Sequence, residues 1–213
     1  IFARGGSKGL IDKNIMPFAG HPLVAHSILL GKKIENLQNI FVSTDSSEIA
    51  SIALRYGAQI IERPEALASD KSPELLAWKH AIDHVERLGK EADTFISLPC
   101  TCPLRKVEHV DEGLEKFSKR EYDIVVSVAK SYRNPWFNML KKAKGGNSYE
   151  LVIKSKHKFY NRQEVPEVFD LTTAFYITCP NFIRHTDNIL NGEIGAVLIP
   201  KINSIDIDDD FDF

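Results

Sequence analysis

The 213 residues hold 27 Lys and Arg against 29 Asp and Glu, a formal net charge of -2, with 43% hydrophobic and 26% charged residues. So even a balance offers no basic field for nucleic acid, and the apolar runs fall far short of the ~20 residues that cross a bilayer. One globular domain in the cytoplasm is the expectation. The three cysteines, Cys100, Cys102 and Cys179, are an odd and sparse set for a zinc site or a disulfide framework and are expected as reduced thiols.

The chain opens at Ile1-Phe2-Ala3, which has the character of the last residues of a buried strand, so the native ends are expected to lie beyond both ends of this sequence. Ala3-Arg4-Gly5-Gly6-Ser7-Lys8-Gly9 follows directly, then Lys13-Asn14. From there short β-branched runs alternate with helical periodicity. Strands are predicted over 39–43, 59–61, 94–98 and 124–128, with helices over 47–56, 74–88 and 107–117 between them. That alternation predicts βαβ units. After Lys130 the rhythm breaks into a stretch punctuated by Pro, Asn and Gly, with strand-like pieces at 150–154 and 173–177. An arm over roughly 132–168, serving as a flap or a dimer contact, is expected there.

The glycine-rich loop is the strongest local signal. Glycines let backbone N–H groups approach phosphate oxygens closely, while Arg4, Lys8 and Lys13 supply neutralising charge. The G-x-x-x-x-G-K-[ST] spacing of a Walker A loop is absent. At the other end of the chain, Asp206 and Asp208 stand two apart in an alternating acidic and apolar run. On a strand both carboxylates would face one way and Ile205 and Ile207 the core, a pair suited to Mg²⁺ (or Mn²⁺). A solvated acidic terminus is the competing explanation, since Asp209, Asp210 and Asp212 follow. His80 and His84 lie four apart on a predicted helix without the Glu of H-E-x-x-H, and are expected as helix-face residues. Trp78 is expected in the core at helical spacing with Leu75, Ala81 and Ile82.

The loop, together with Lys13-Asn14, resembles the signature of the CMP-sialic acid synthetases, the acylneuraminate cytidylyltransferases. Further blocks are similar to that family in order and spacing: Val42-Ser43-Thr44-Asp45, Tyr56-Gly57-Ala58, Arg63-Pro64 with Leu67-Ala68-Ser69-Asp70, Thr101-Cys102-Pro103-Leu104-Arg105, Asn161-Arg162-Gln163-Glu164 and Ile205-Asp206-Ile207-Asp208. The resemblance implies a three-layer, Rossmann-like α/β fold with a mainly parallel sheet, a homodimer, and transfer of CMP from CTP to an acidic nine-carbon sugar with release of pyrophosphate. It assigns Arg4, Lys8, Lys13 and Asp208 to catalysis. Ala3, Arg4, Gly5, Gly6, Ser7, Asn14, Arg63 and Ser69 would bind the nucleotide, Thr101, Arg162 and Gln163 the sugar, and Asp206 with Asp208 the metal. An Arg63–Asp70 ion pair bracing the loop is the structural alternative for those two residues.

Two departures bear on the sugar. Leu98-Pro99-Cys100-Thr101-Cys102 replaces the family's Leu-Gln-Pro-Thr-Ser, and Leu171-Thr172-Thr173-Ala174 stands where Asn-Gly is common. The first loses an amide donor and acceptor, and the second a turn able to take positive φ. Both point toward the bacterial subgroup of legionaminic acid cytidylyltransferases. The competing functions are activation of another ulosonic acid (pseudaminic acid or 3-deoxy-manno-octulosonic acid) and a nucleotide-binding module without turnover. A phosphatase of the haloacid dehalogenase type opening at Asp206 is also conceivable, but too few residues remain to build it.

Overall fold

The computed structural model describes residues 1–6, 9–69, 71–157 and 159–213. Two short strands, β1 (Pro17–Phe18) and β2 (His21–Pro22), pair antiparallel after the glycine-rich loop and lead into helix α1 (Leu23–Gly31). The alternating segment follows as β3 (Phe41–Thr44), α2 (Ser47–Arg55), β4 (Gln59–Glu62), α3 (Glu74–Arg87), β5 (Phe95–Ser97), α4 (Val107–Ser118) and β6 (Ile124–Lys130). Next comes a hairpin of β7 (Leu140–Lys142) and β8 (Tyr149–Leu151), then the long β9 (Phe169–Thr178), α5 (Pro180–His185) and β10 (Ile194–Leu198).

Local chemistry explains why the alternating part was predictable. Ser46 caps α2 by accepting the Ile49 N–H on its side chain, satisfying one of the orphan donors of the first turn. On β6, Ile124 and Val126 join one apolar cluster while Val125 joins another. On β9, Tyr176 likewise parts from Phe175 and Ile177. Successive strand residues point to opposite faces, so the sheet buries both sides. One cluster gathers residues of α1, α2 and α4, and the other, around the buried Trp78, those of α3 and α5. Helices on both faces of a sheet make three layers.

In the main sheet the order is β10-β6-β9-β5, with β10 parallel to β6, and β9 antiparallel to both β6 and β5. Hence β5, β6 and β10 share one direction and β9 alone is reversed. The chain reaches β9 from β6 through the β7–β8 hairpin with no crossover helix, and a parallel entry needs such a crossover. A second parallel pair, β3 with β4, is extended by a bridge from Phe2 to Ser43. Helix α1 lies outside the predicted elements because it is apolar on nearly every side, with Leu23, Val24, Ala25 and Ile28 fully buried, and so shows no amphipathic stripe. Strand β10 was also missed, being short and interrupted by Gly195.

Candidate active site

The glycine-rich loop leaves the sheet beside β3 and is tied down by its neighbours. Ala3, buried, donates its N–H to the Ser43 carbonyl (3.1 Å), and the Gly5 N–H donates to Asp45 Oδ1 (2.8 Å). Arg4 donates to the carbonyl of Ala68 (3.2 Å), and buried Asn14 donates from Nδ2 to the Arg4 carbonyl (3.0 Å). Asn14 therefore shapes the loop from behind. Ser7, Lys8 and Asp70 lie outside the described residues, and with Asp70 goes the expected ion pair to Arg63.

Arg63 is held by a different set of partners. Its Nε donates to Ser43 Oγ (3.1 Å), its terminal nitrogen to the Ser43 carbonyl (2.7 Å), and its guanidinium lies 5.6 Å from the centre of the Phe2 ring. Burial lowers its pKa from the ordinary arginine value.

The two ends of the chain meet at Lys13. Its Nζ, nearly buried, donates to the carbonyl of Ile207 and sits 3.1 Å from Asp208 Oδ1, whose side chain is 74% exposed. Gly9 packs against the same segment, where a Cβ would overlap the Asp208 carbonyl oxygen. Only a glycine allows backbone to approach so closely. The acidic segment departs from the expected strand. After a turn at Lys201–Ser204, residues 205–208 run extended without entering a sheet, held by the Ile207 N–H donating to the Thr101 carbonyl (2.8 Å). One backbone bond to a residue beyond the end of β5 is too little to make a ladder. Ile207 is buried as expected.

These elements enclose a cavity of about 550 Å³ whose wall includes Arg4, Lys13, Asn14, Arg63, Ser69, Thr101 and Asp208. Asp206, Arg162 and Gln163 are not part of that wall. Arg162 and Gln163 are exposed on a short turn, where Arg162 donates to the Ser131 carbonyl and lies 6.0 Å from the centre of the Tyr132 ring. The two residues expected to face the sugar thus sit apart from the cavity wall, with Arg162 joined to Ser131 and Tyr132. A second cavity of the same size is walled largely by apolar residues such as Ile34, Leu37, Phe41 and Val85, and holds none of the candidate residues.

The wall also holds residues that the sequence did not single out for the site: Ser72, Glu74 and Tyr176. Burial raises the Glu74 carboxyl above its ordinary 4.5, while the Trp78 indole N–H (3.1 Å) pulls the other way. Glu74 is exposed at the cavity wall. Burial first, then the Glu74 and Asp206 carboxylates, push the Tyr176 hydroxyl up to about 12, so it stays protonated as a donor. No short motif marks these residues, since Ser72 and Glu74 come from the start of α3 and Tyr176 from β9, about a hundred positions later. Beneath the site, fully buried Arg105 donates to the carbonyls of Pro99 (2.6 Å) and Cys102 (2.8 Å) and to Ser27 Oγ, bracing the turn that carries Thr101. Cys100 and Cys102 are buried in the core, and burial raises Cys102 to about 11, as packing residues require.

A hard cation takes carboxylate, phosphate and water oxygens. Asp208 offers an open carboxylate at the cavity, and Asp206 Oδ1 is buried with no hydrogen-bond partner, an acceptor in need of a donor or a cation. Among the described residues no group of three or more His, Cys, Asp or Glu is gathered as a closed metal site. Of the two only Asp208 borders the cavity, and a cation held there would share its coordination with a phosphate ligand, the mode usual for Mg²⁺.

Across solved structures the fold matches, over 98% of this chain and 91% of the other, CMP:2-keto-3-deoxy-manno-octonic acid synthetase complexed with CTP, at a TM-score of 0.70 and 13% identity. The architecture is that of the α/β nucleotidyltransferases. A family model described as cytidylyltransferase matches residues 1–187. The chain is 33% identical to post-translational flagellin modification protein B of Campylobacter coli, and 31% identical to CMP-N,N'-diacetyllegionaminic acid synthase of Campylobacter jejuni. Each match covers 100% of this chain and 90% of the relative. It is also 31% identical to N-acylneuraminate cytidylyltransferase of Escherichia coli, over 99% of this chain and 49% of that one. The chain belongs to the cytidylyltransferase family, among the CMP-nonulosonic acid synthetases. Among the described residues no helix is long and apolar enough to cross a membrane.

Proposed function

We propose that this protein transfers CMP from CTP to the anomeric hydroxyl of a nine-carbon acidic sugar of the legionaminic type. The sugar oxygen forms a bond to the α-phosphorus, the bond from that phosphorus to the β-phosphate oxygen breaks, pyrophosphate leaves, and the hydroxyl proton is released. One observation carries the proposal: loop residue Arg4, the Lys13–Asp208 pair and Thr101 meet at one cavity, as a positioning and neutralising site for a triphosphate requires. The named relative from Campylobacter jejuni and the substitutions at 98–102 and 171–174 favour a legionaminic acid over N-acetylneuraminic acid.

In this proposal Arg4, with Lys8, neutralises the phosphates, while Gly5, its N–H held by Asp45, fixes the turn from which Gly6 offers a backbone N–H to them. Arg63 and Ser69 border the nucleoside. Lys13 holds Asp208 in place as well as adding charge. Asp208 with Asp206 would hold Mg²⁺ (or Mn²⁺), which supplies neutralisation of charge on the phosphate oxygens. A cytoplasmic setting accords with three free thiols. The homodimer is proposed on the exposed apolar side chains of the arm, among them Tyr132, Leu140, Tyr149 and Tyr160. Arg162 and Gln163 would then reach a sugar only from an adjoining copy.

The test is pyrophosphate release from CTP and Mg²⁺ with a legionaminic acid, a pseudaminic acid, N-acetylneuraminic acid and an eight-carbon ulosonic acid. Release is expected with the legionaminic acid and is expected to be lost in Asp208→Ala. Turnover confined to the eight-carbon acid, or none with any sugar, would overturn the proposal.

A further inference from the structure

We infer that Thr173 is a specificity-determining residue, one that hydrogen-bonds a neutral polar substituent of the sugar, an acylamino group above all. The inference rests on the nonulosonic acid activity proposed above.

It begins with an irregularity in β9. Val126 of β6 faces Tyr176, yet Val128 faces Leu171, so residues 172–175 stand against Ser127 alone. Ser127 is fully buried and fills the gap with its hydroxyl, accepting the Phe175 N–H (3.2 Å) and the Thr172 Oγ1 hydrogen (2.7 Å). A bulge of this kind re-aims the side chains it displaces. Here Thr172 is turned inward to Ser127, and Thr173 is set on the wall of the cavity. Its Oγ1 is buried without a hydrogen-bond partner. Buried hydroxyls in folded proteins are satisfied, and an orphan beside a ligand cavity is one that the ligand satisfies.

The position within the cavity indicates which ligand. Arg4, Asn14, Arg63 and Ser69 belong to the half built on the loop, β3 and β4, the side proposed for CTP. Thr173, Thr101 and Asp208 belong to the half built on β9, the chain beyond β5 and the acidic segment, where Ile207 joins Thr101. That half is left for the acceptor sugar. Thr173 carries no charge, so it suits a neutral group rather than the sugar carboxylate, and a hydroxyl can both donate to an acyl carbonyl and accept from an amide N–H.

The test compares the wild type with Thr173→Val, which keeps the shape and removes the hydroxyl, and with Thr173→Ser, which restores it. KM and kcat are measured for CTP and for two nonulosonic acids, one bearing an acylamino group and one bearing a hydroxyl in its place. Thr173→Val is expected to raise KM for the acylamino sugar roughly fivefold to tenfold. CTP KM and the melting temperature should be unchanged, the hydroxylated analogue should respond less, and Thr173→Ser should recover most of the loss. An unchanged sugar KM, or an equal rise for CTP and both sugars, overturns the assignment while leaving the cytidylyltransferase activity standing. Failure of the wild type to turn over any sugar would instead remove the activity on which the inference is built.

Discussion

Gly9→Ala is the most pointed test of how the two ends of the chain cooperate. An added Cβ would overlap the carbonyl oxygen of Asp208 and stand 3.4 Å from its carbonyl carbon. Because ordinary contacts of this kind need about 3.5 Å, the overlap is relieved only if the acidic segment moves outward by roughly 1 Å. That segment has little to resist with: the Lys13–Asp208 pair at 3.1 Å, the Lys13 bond to the Ile207 carbonyl, and the Ile207–Thr101 bond at 2.8 Å. A misplacement of about 1 Å at a reacting centre costs on the order of 100-fold in rate. Overpacking of this size costs about 1–3 kcal/mol in stability, a melting drop of about 2–12 °C in a chain of this length. Gly89→Ala is the control, since Gly89 has φ 70°, would meet nothing within 4 Å of an added Cβ, and lies away from the cavity wall. There the left-handed backbone costs about 1–2 kcal/mol without displacing Asp208. Pyrophosphate release and thermal melts on both variants decide the matter. The reasoning fails if Gly9→Ala retains activity within about threefold of wild type, or if Gly89→Ala loses as much.

Arg105→Lys should lower the melting temperature by about 6–12 °C, because a lysine cannot replace the bonds to Pro99, Cys102 and Ser27 and leaves buried acceptors unpaired, at about 3 kcal/mol together; a melt within 2 °C of wild type, on the order of half a kcal/mol, would show that the turn does not depend on it. Glu74→Gln should flatten the dependence of stability on pH. The folded carboxyl titrates above its ordinary 4.5, so the stability it lends is full below that value and is lost as pH rises through the raised one, and the amide removes that loss while keeping an acceptor for Trp78. Urea melts between pH 4 and 8 check this, and an unchanged slope in the variant would refute it. The proposed homodimer predicts twice the monomer mass by light scattering, with Tyr149→Arg or Leu140→Arg shifting it toward the monomer; a wild-type monomer at all concentrations would contradict it.

What the sequence determined by itself is whatever depends on neighbours along the chain. Periodicity placed α2, α3 and α4 and the strands between them, and the glycine loop with its basic residues stood out as the candidate phosphate-binding turn. Asp208 stood out as a candidate through the family resemblance, its spacing to Asp206 alone fitting a solvated acidic terminus as well. Tertiary structure decided the rest. Helix α1 is buried on nearly all sides, which erases the amphipathic signal that would have revealed it. Strand β9 runs backward because a hairpin rather than a crossover helix precedes it, and its bulge exists because Ser127, 48 residues before Phe175, stands opposite. The same dependence brought Ser72 and Glu74, at the start of α3, together with Thr173 and Tyr176 of β9 on the cavity wall, which Arg162 and Gln163 do not border. The contact that joins the halves of the site, Lys13 to Asp208, spans 195 positions. Local rules reach a few residues along the chain, whereas a site of this kind is assembled by packing, which brings distant residues together only once the sheet has formed.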